Sequence, residues 1–196
     1  MVRGSLCSTY LNQGKTIQRH IDSLLPQVTE AVEWVMVDAG SDDGTWRACA
    51  DAAIRNPRVR AYQVKGPGVL PITRGEGRDI AARLSSGRVQ IHALDGDVIY
   101  RDGAIALIYD QFKARGLDAM YGDSYSAVWR AVYEAVEGFP HIQVEEDFQF
   151  YRAVGESRHT IATWRSNCWK EDHNRFRPLR NLAPMGSEID HTEPIL

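Results

Sequence analysis

Long apolar runs are missing from this chain. The longest, such as Trp34 to Val37, fall far short of the ~20 residues that span a bilayer, and the N-terminus lacks the apolar centre of a secretory signal. A cytoplasmic protein, or one peripheral at a membrane, is the simplest expectation, with no integral membrane segment. Paired cysteines are missing too. Cys7, Cys49 and Cys168 stand far apart, which argues against a disulfide framework or a structural zinc site and for buried reduced thiols. Nor is there a surplus of one charge: 23 basic against 26 acidic residues leave a net charge of −3, which argues against nucleic acid as a partner. Internal repeats and low-complexity stretches are absent as well. What is there is the composition of an ordinary globular protein, 43% hydrophobic and 25% charged, at a length of 196 residues that fits one domain with a short tail.

The apolar pattern alternates between two periods. Arg3 to Thr9 reads as a first strand, weakened by Gly4, Ser5 and Ser8. Ile17, Ile21, Leu24 and Leu25 recur at helical spacing until Pro26. Trp34 to Val37 is a short buried strand, Thr45 to Ile54 a helix stopped by Asn56 and Pro57, and Val59 to Val64 a third strand. Thr73 to Leu84 is helical, and Val89 to Leu94 is a fourth strand that runs into Asp95. This βαβα series predicts an α/β fold, a mostly parallel sheet flanked by helices that binds ligands at the carboxyl ends of its strands. Asp38 and Asp95 both stand at such ends. A helix over Gly103 to Arg115, a strand over Asp118 to Tyr121 and a helix over Glu145 to Val154 follow. We therefore expect a core over 1–156, with a first half over about 1–100 and a second over 101–156. Residues 157–196, with Pro178, Pro184 and Pro194, are expected to form an irregular C-terminal tail that packs on the core or stays partly mobile.

The run Leu94, Asp95, Gly96, Asp97 carries the strongest chemical signal. Two carboxylates separated by glycine can face one point in a tight turn, and hard oxygen ligands favour Mg²⁺ or Mn²⁺. Such an ion neutralises a departing diphosphate. A plain acidic turn would have the same composition.

Four segments, in order, resemble the family-2 glycosyltransferases. STYLNQG is similar to the family's first-strand motif, with Tyr10, Asn12 and Gln13 on its Tyr-Asn-Glu positions. VMVDAGSDDGT looks like its Val-Asp-Asp-Gly-Ser-Thr-Asp-Gly-Thr signature, with Ala39 and Asp42 departing from it. RGEGRDIAARLSSG is similar to its Ala-Arg-Asn helix, Arg78 and Asp79 falling on Arg-Asn. EGFPHIQVEEDFQFYRAVG matches its Gly-Gly-Phe and Glu-Asp pattern.

The resemblance implies a GT-A, Rossmann-like fold and a metal-dependent, inverting transfer of a hexose-type sugar from a nucleoside diphosphate to an acceptor hydroxyl. A UDP-sugar is the favoured donor and a GDP-sugar the next. It would also make the half over about 1–100 the nucleotide-binding half and that over 101–156 the acceptor half. It implies roles as well. Thr9, Tyr10 and Asn12 would belong to the nucleotide site. Asp38 would accept the base N–H, unless it merely holds an Asx turn. Arg78 would lie against the nucleotide or its phosphates, where a surface ion pair is the alternative. Asp95 would meet the ribose or the metal, and Asp97 would be the metal ligand proper, with His173 a further candidate ligand from the tail. On the acceptor side the Glu-Asp motif maps onto Glu146 and Asp147, and we expect Asp147 to be the base, crowded by the like charge of Glu145 and Glu146. The acceptor itself, whether saccharide, lipid-linked or another small molecule, and the oligomeric state are not legible.

Two other readings share this topology. Sugar nucleotidyltransferases open with a glycine-rich phosphate loop, which Ser8 to Gly14 does not provide. A non-catalytic nucleotide-binding or scaffold protein would keep the fold without turnover.

Overall fold

The computed structural model describes residues 4–65, 71–92, 95–122, 125–157, 159–164, 169–172 and 175–178, with side chains through residue 161. In chain order the first half contains β1 (Gly4–Tyr10), α1 (Ile17–Leu24), β2 (Val32–Asp38), α2 (Thr45–Arg55), β3 (Val59–Gln63), α3 (Arg74–Leu84) and β4 (Val89–His92). The second half contains β5 (Val98–Ile99), α4 (Ala104–Ala114), β6 (Ala119–Gly122), β7 (Ser126–Trp129), α5 (Arg130–Ala135), α6 (Glu146–Glu156), β8 (Ile161–Trp164), β9 (Trp169–Asp172) and β10 (Arg175–Pro178).

Seven strands form one sheet in the order β3-β2-β1-β4-β7-β6-β8. The pairs among β3, β2, β1 and β4 are parallel, as is β6 with β8, while β7 runs antiparallel to both its neighbours. The mostly parallel α/β sheet expected from the alternating periods is therefore present, with one reversed strand inside it. Chain order turns around between β1 and β4, and a crevice opens at the carboxyl ends of strands at such a switch point. Asp38 ends β2 beside Tyr10 of β1, and Asp95 follows β4 on the other side.

Side chains alternate across the sheet as the strand period requires. Trp34 and Met36 of β2 join Leu6, Ile17, Ile21, Cys49, Ile105 and Phe112 in the larger core under α1, α2 and α4. Val35 and Val37 face the other way with Cys7 and Ala81 of α3. A third cluster, with Tyr133, Phe139, Phe150 and Tyr151 at its centre, anchors α6. Cys7 and Cys49 are buried free thiols, as expected, and burial pushes both up to about 12; Cys168 lies outside the described residues. Among the described residues no helix is long and apolar enough to cross a membrane.

Helix α3 lies unusually close to its surroundings, and glycine is the reason. A methyl group on Gly77 would overlap the Thr9 hydroxyl of β1, and one on Gly75 would overlap the Pro140 carbonyl. The loop over 140–143 in turn caps the helix. Gly75 N donates to the Ile142 carbonyl at 2.9 Å, Arg74 N to Gln143 Oε1 at 3.1 Å and Glu76 N to Thr73 Oγ1 at 3.1 Å. The first-turn amides that a helix leaves unsatisfied are thus consumed by protein groups.

Gly→Ala inside a helix normally stabilises by up to about 1 kcal/mol. Gly155 of α6 has open space where a methyl would go, so Gly155→Ala should follow that rule. Gly75→Ala should reverse it, destabilising by roughly 1–3 kcal/mol because backbone must move aside. Urea unfolding of the two variants checks the opposite signs.

Candidate active site

A cavity of about 360 Å³ opens at the switch point, lined by Thr9, Tyr10 and Leu11 from the end of β1, by Ala39 after β2, and by Asp95, Gly96 and Asp97 after β4. Arg74, Arg78 and Gln143 line its other side, with Gln13 and Ile72. Most of these residues sit on loops that the parallel strands deliver to one rim.

Asp38 is fully buried. Its Oδ1 accepts from the N–H groups of Gly40 (3.0 Å) and Ser41 (2.9 Å) and from the Gln63 amide (3.3 Å), which is an Asx turn. Its Oδ2 has no hydrogen-bond partner among the described residues. The two readings of Asp38 therefore fall on two oxygens of one carboxylate: one holds the turn, and the other is an unmatched acceptor. Thr9 Oγ1 is likewise buried and unmatched. Asn12 sits elsewhere. It is exposed, adopts φ 53°, donates its N–H to Ser41 Oγ at 2.9 Å and accepts from Asp42 N at 3.1 Å, so it ties the loop after β1 to the loop before α2. Asp43 strengthens the same junction. Despite desolvation, which raises it, hydrogen bonds from the Thr45 hydroxyl and the Gly14 N–H hold its carboxyl below the usual range.

Asp95 to Val98 is a closed β-turn, with Val98 N donating to the Asp95 carbonyl at 3.1 Å. Both carboxylates are half-buried and line the same cavity. Gly96 between them is buried, and a Cβ there would lie 3.1 Å from Gln13 Cγ and 3.2 Å from Tyr10 Cδ1. Among the described residues no cluster of three or more His, Cys, Asp or Glu side chains is formed that could hold a metal by itself. The donor set nevertheless fits Mg²⁺ or Mn²⁺, which bind through one or two carboxylates, waters and a substrate's phosphates. His173 lies outside the described residues. Strand β9, which immediately precedes it, pairs with β5, which immediately follows Asp97, in the register Val98↔Lys170 and Ile99↔Trp169.

Arg78 joins the two halves of the cavity. Arg74 and Arg78 are one helical turn apart on α3 and both reach Glu146 of α6, with Arg78 Nη1 2.9 Å and Arg74 Nε 3.7 Å from Oε1. The same Nη1 is 3.5 Å from Asp147 Oδ2, and Nη2 is 3.9 Å from Asp95 Oδ1. Arg78 and Glu146 are buried, whereas Asp95 and Asp147 keep partial access to solvent. The 2.9 Å contact is an ion pair whose angles miss hydrogen-bond geometry, and Glu146 Oε2 has no hydrogen-bond partner among the described residues. The Phe139 ring backs the guanidinium at 5.9 Å and stacks in turn on Phe150 at 4.2 Å. Arg78 is thus no surface ion pair: it is buried among carboxylates and lines the cavity. The like charge around Asp147 that the Glu-Glu-Asp run predicts is met by a cation.

The loop that carries this side of the cavity is pinned from α3. Asp79 receives hydrogen bonds from the Tyr133 hydroxyl, from Arg83 Nε at 2.7 Å and from His141 Nε2 at 3.2 Å. Desolvation opposes ionisation there, but the hydrogen bonds from Arg83, Tyr133 and His141 outweigh it and hold the carboxyl below its usual range. Gly138, at φ +87°, leaves room for that carboxylate, which a Cβ would strike. Glu145, at φ 65°, begins α6, and Asp147 Oδ1 accepts from the following N–H of Phe148 at 2.9 Å. Sequence reasoning did not single out Arg74, Gln143, Leu11 or Ile72 as lining residues. The first is visible in retrospect as the i−4 partner of Arg78; the others carry no signal of their own.

The chain matches the model of the family described as glycosyl transferase family 2 over residues 5–133. It is 24% identical over 115 residues to a glycosyltransferase, GlyG, of Streptococcus pneumoniae, a match covering 59% of this chain and 36% of that protein. The fold is shared with the mannosyltransferase PcManGT of Pyrobaculum calidifontis, solved with GDP-Man and Mn²⁺, at a TM-score of 0.70 and 16% identity over 83% of this chain and 55% of that one. It is also shared with glucosyl-3-phosphoglycerate synthase of Mycobacterium tuberculosis, solved with Mn²⁺, UDP and phosphoglyceric acid, at a TM-score of 0.70 and 16% identity over 91% and 72% of the two chains. The chain spans about a third of the length of the curated relative and about half of the mannosyltransferase. On the family match, which covers most of its length, the chain belongs to glycosyl transferase family 2.

Proposed function

We propose that this protein transfers a sugar from a nucleoside diphosphate to an acceptor hydroxyl with inversion, using Mg²⁺ or Mn²⁺, with a UDP-sugar the favoured donor and a GDP-sugar the next. The observation that carries this reading is that Asp95 and Asp97 line one cavity while the guanidinium of Arg78 spans from Asp95 to Asp147. A metal-binding pair and a candidate base are thereby within reach of one side chain. The complexes of PcManGT with GDP-Man and Mn²⁺ and of the synthase with UDP and Mn²⁺ support the same chemistry here.

In this reading Asp97 and Asp95 hold the ion, and His173 is a candidate third ligand. The bound ion would neutralise the diphosphate as it departs. Asp38 Oδ2, an acceptor without a partner among the described residues, takes the N–H of the base, and Tyr10, its neighbour across the strand pair, lines the cavity with Thr9. Asn12 acts by holding the two nucleotide loops together. Asp147, partly open to solvent, takes the proton of the acceptor hydroxyl as its oxygen bonds to the anomeric carbon. The bond from that carbon to the diphosphate oxygen breaks, and its electron pair leaves with the diphosphate. Glu146, paired with Arg78 at 2.9 Å, has the part of anchoring that side chain, which in turn holds Asp147 in place at 3.5 Å.

Two measurements test the reading. Calorimetry should find UDP or GDP binding that Mn²⁺ strengthens, with the metal-dependent gain falling in Asp97→Ala by about tenfold or more, at least the loss typical of an outer group that only orients a ligand. Equal nucleotide affinity with and without Mn²⁺ in the native protein would remove the ion from the account. Asp147→Asn should keep nucleotide binding and lose roughly 10²–10⁴-fold in donor turnover. Unchanged turnover would acquit Asp147 of the base role, and binding without any turnover in the native protein would favour a scaffold of the same fold.

A further inference from the structure

Helix α1 contributes nothing to the cavity wall, yet it carries a histidine whose placement concerns the turn at Asp95 to Val98. His20 is fully buried, on the same helix face as Ile17, Ile21 and Leu24. An apolar side chain would suit that face, and a buried polar ring is unfavourable unless its nitrogens are matched. Both are. Nδ1 lies 2.6 Å from the Val98 carbonyl oxygen, and Nε2 lies 2.9 Å from the Tyr10 hydroxyl. A carbonyl can only accept, so Nδ1 carries the proton. Burial pushes the imidazole down to about 4, against the smaller upward pull of the Val98 carbonyl, so the ring is neutral at ordinary pH. Nε2 then offers a lone pair, and the Tyr10 hydroxyl donates to it. Trp34 and Tyr100 stand edge-on at 5.9 Å each and fix the plane of the ring.

Both partners of His20 belong to the mounting of the turn. Val98 is its fourth residue, and its N–H closes the turn onto Asp95. The ring of Tyr10, together with the side chain of Gln13, forms the surface against which Gly96, its second residue, is packed. One imidazole therefore grips the fourth position directly and the second through Tyr10, and the two carboxylates are the first and third.

We propose that His20 is a positioning residue for the divalent-cation turn: its Nδ1–H holds the Val98 carbonyl and its Nε2 orients Tyr10, so that Asp95 and Asp97 are presented to the cavity already set for one ion. The ligand in this inference rests on the metal-dependent reading above; the clamp itself does not. Without the clamp the turn samples other orientations, and ordering it is charged against cation binding. Outer groups that orient metal ligands are typically worth roughly 10–100-fold in metal affinity.

The test uses three variants of the full chain. His20→Leu removes both arms at similar volume, His20→Asn keeps a donor near the place of Nδ1, and Tyr10→Phe removes only the hydroxyl arm. Amide hydrogen exchange of residues 95–99 is followed without metal, Mn²⁺ uptake in the presence of UDP or GDP is followed by the electron spin resonance of free Mn²⁺, and thermal unfolding reports on the fold. His20→Leu is expected to speed exchange at 96–99 selectively and to weaken Mn²⁺ uptake by about tenfold or more. His20→Asn should recover most of both effects, and Tyr10→Phe should fall between. A folded His20→Leu protein with native exchange rates at the turn, or with native Mn²⁺ affinity, overturns the proposal. Should His20→Leu fail to fold, Tyr10→Phe decides: native exchange at Gly96 together with native Mn²⁺ uptake overturns it. A native protein that takes up no Mn²⁺ with either nucleotide sinks the metal-dependent reading instead, while the exchange rates still decide whether His20 holds the turn.

Discussion

A buried guanidinium among carboxylates organises this molecule. Arg78 is 4% exposed, and its ion pair with the fully buried Glu146 links α3 to α6 across the floor of the cavity. Neither charge is tolerable there alone, because an unpaired ion in such surroundings costs several kcal/mol. The pairing dictates where α6 begins and hence where Asp147 stands. It also explains why the Glu-Glu-Asp run, which reads as crowded like charge, has its second and third members drawn to one cation while Glu145, exposed, begins the helix.

Several local choices are intelligible as means of bringing Arg78 to that place. Gly77 lets α3 settle onto Thr9, and Gly75 lets the loop over 140–143 settle onto α3. The helix thus loses propensity at two positions in return for close approach on two sides. Asp79, next to Arg78 in sequence but turned the other way, binds Tyr133, Arg83 and His141 and so pins the loop that leads to α6. Phe139, introduced by the φ +87° bend at Gly138, closes the back of the guanidinium. On the far wall the turn at Asp95 has its own support in His20 and Tyr10.

What the residues foretold and what they concealed divide along physical lines. The longer helices and the parallel strands of the first half were legible from Ile17, Ile21 and Leu24 at one spacing and Trp34 to Val37 as a buried run, whereas the short α5 was not foreseen and β8 falls where an irregular tail was expected. The turn at Asp95 was legible because Asp and Gly favour turns, but the residues alone do not distinguish a cation site from a plain acidic turn. Strand β5 has two residues, too few for any period, and β7 begins with Ser126 and Ala127, which carry no strand preference of note. The reversal of β7 is a tertiary outcome that its four residues do not encode. Partner choice was concealed as well. That Arg78 meets Glu146 and that His20 meets Val98 depend on contacts 68 and 78 positions apart, and a histidine at a core position of an amphipathic helix looks the same whether or not it has such partners. Asp38 was legible by type and place, but that its two oxygens divide between a turn and an unmatched acceptor appears only in three dimensions.

The dependence of the cavity on the buried pair is open to direct measurement by a double-mutant cycle on unfolding free energy, with Arg78→Met, Glu146→Met and the two combined. Each single change removes the nearest partner of a buried charge, leaving Arg78 only Asp147 and Asp95 at 3.5 and 3.9 Å or Glu146 only the more exposed Arg74 at 3.7 Å, and should cost up to about 3–5 kcal/mol. The double variant removes both charges and should be more stable than the sum of the two losses by about 2 kcal/mol or more. Losses that add to within about 0.5 kcal/mol would mean that the two side chains do not depend on each other, and that something other than Arg78 holds the two sides of the cavity together.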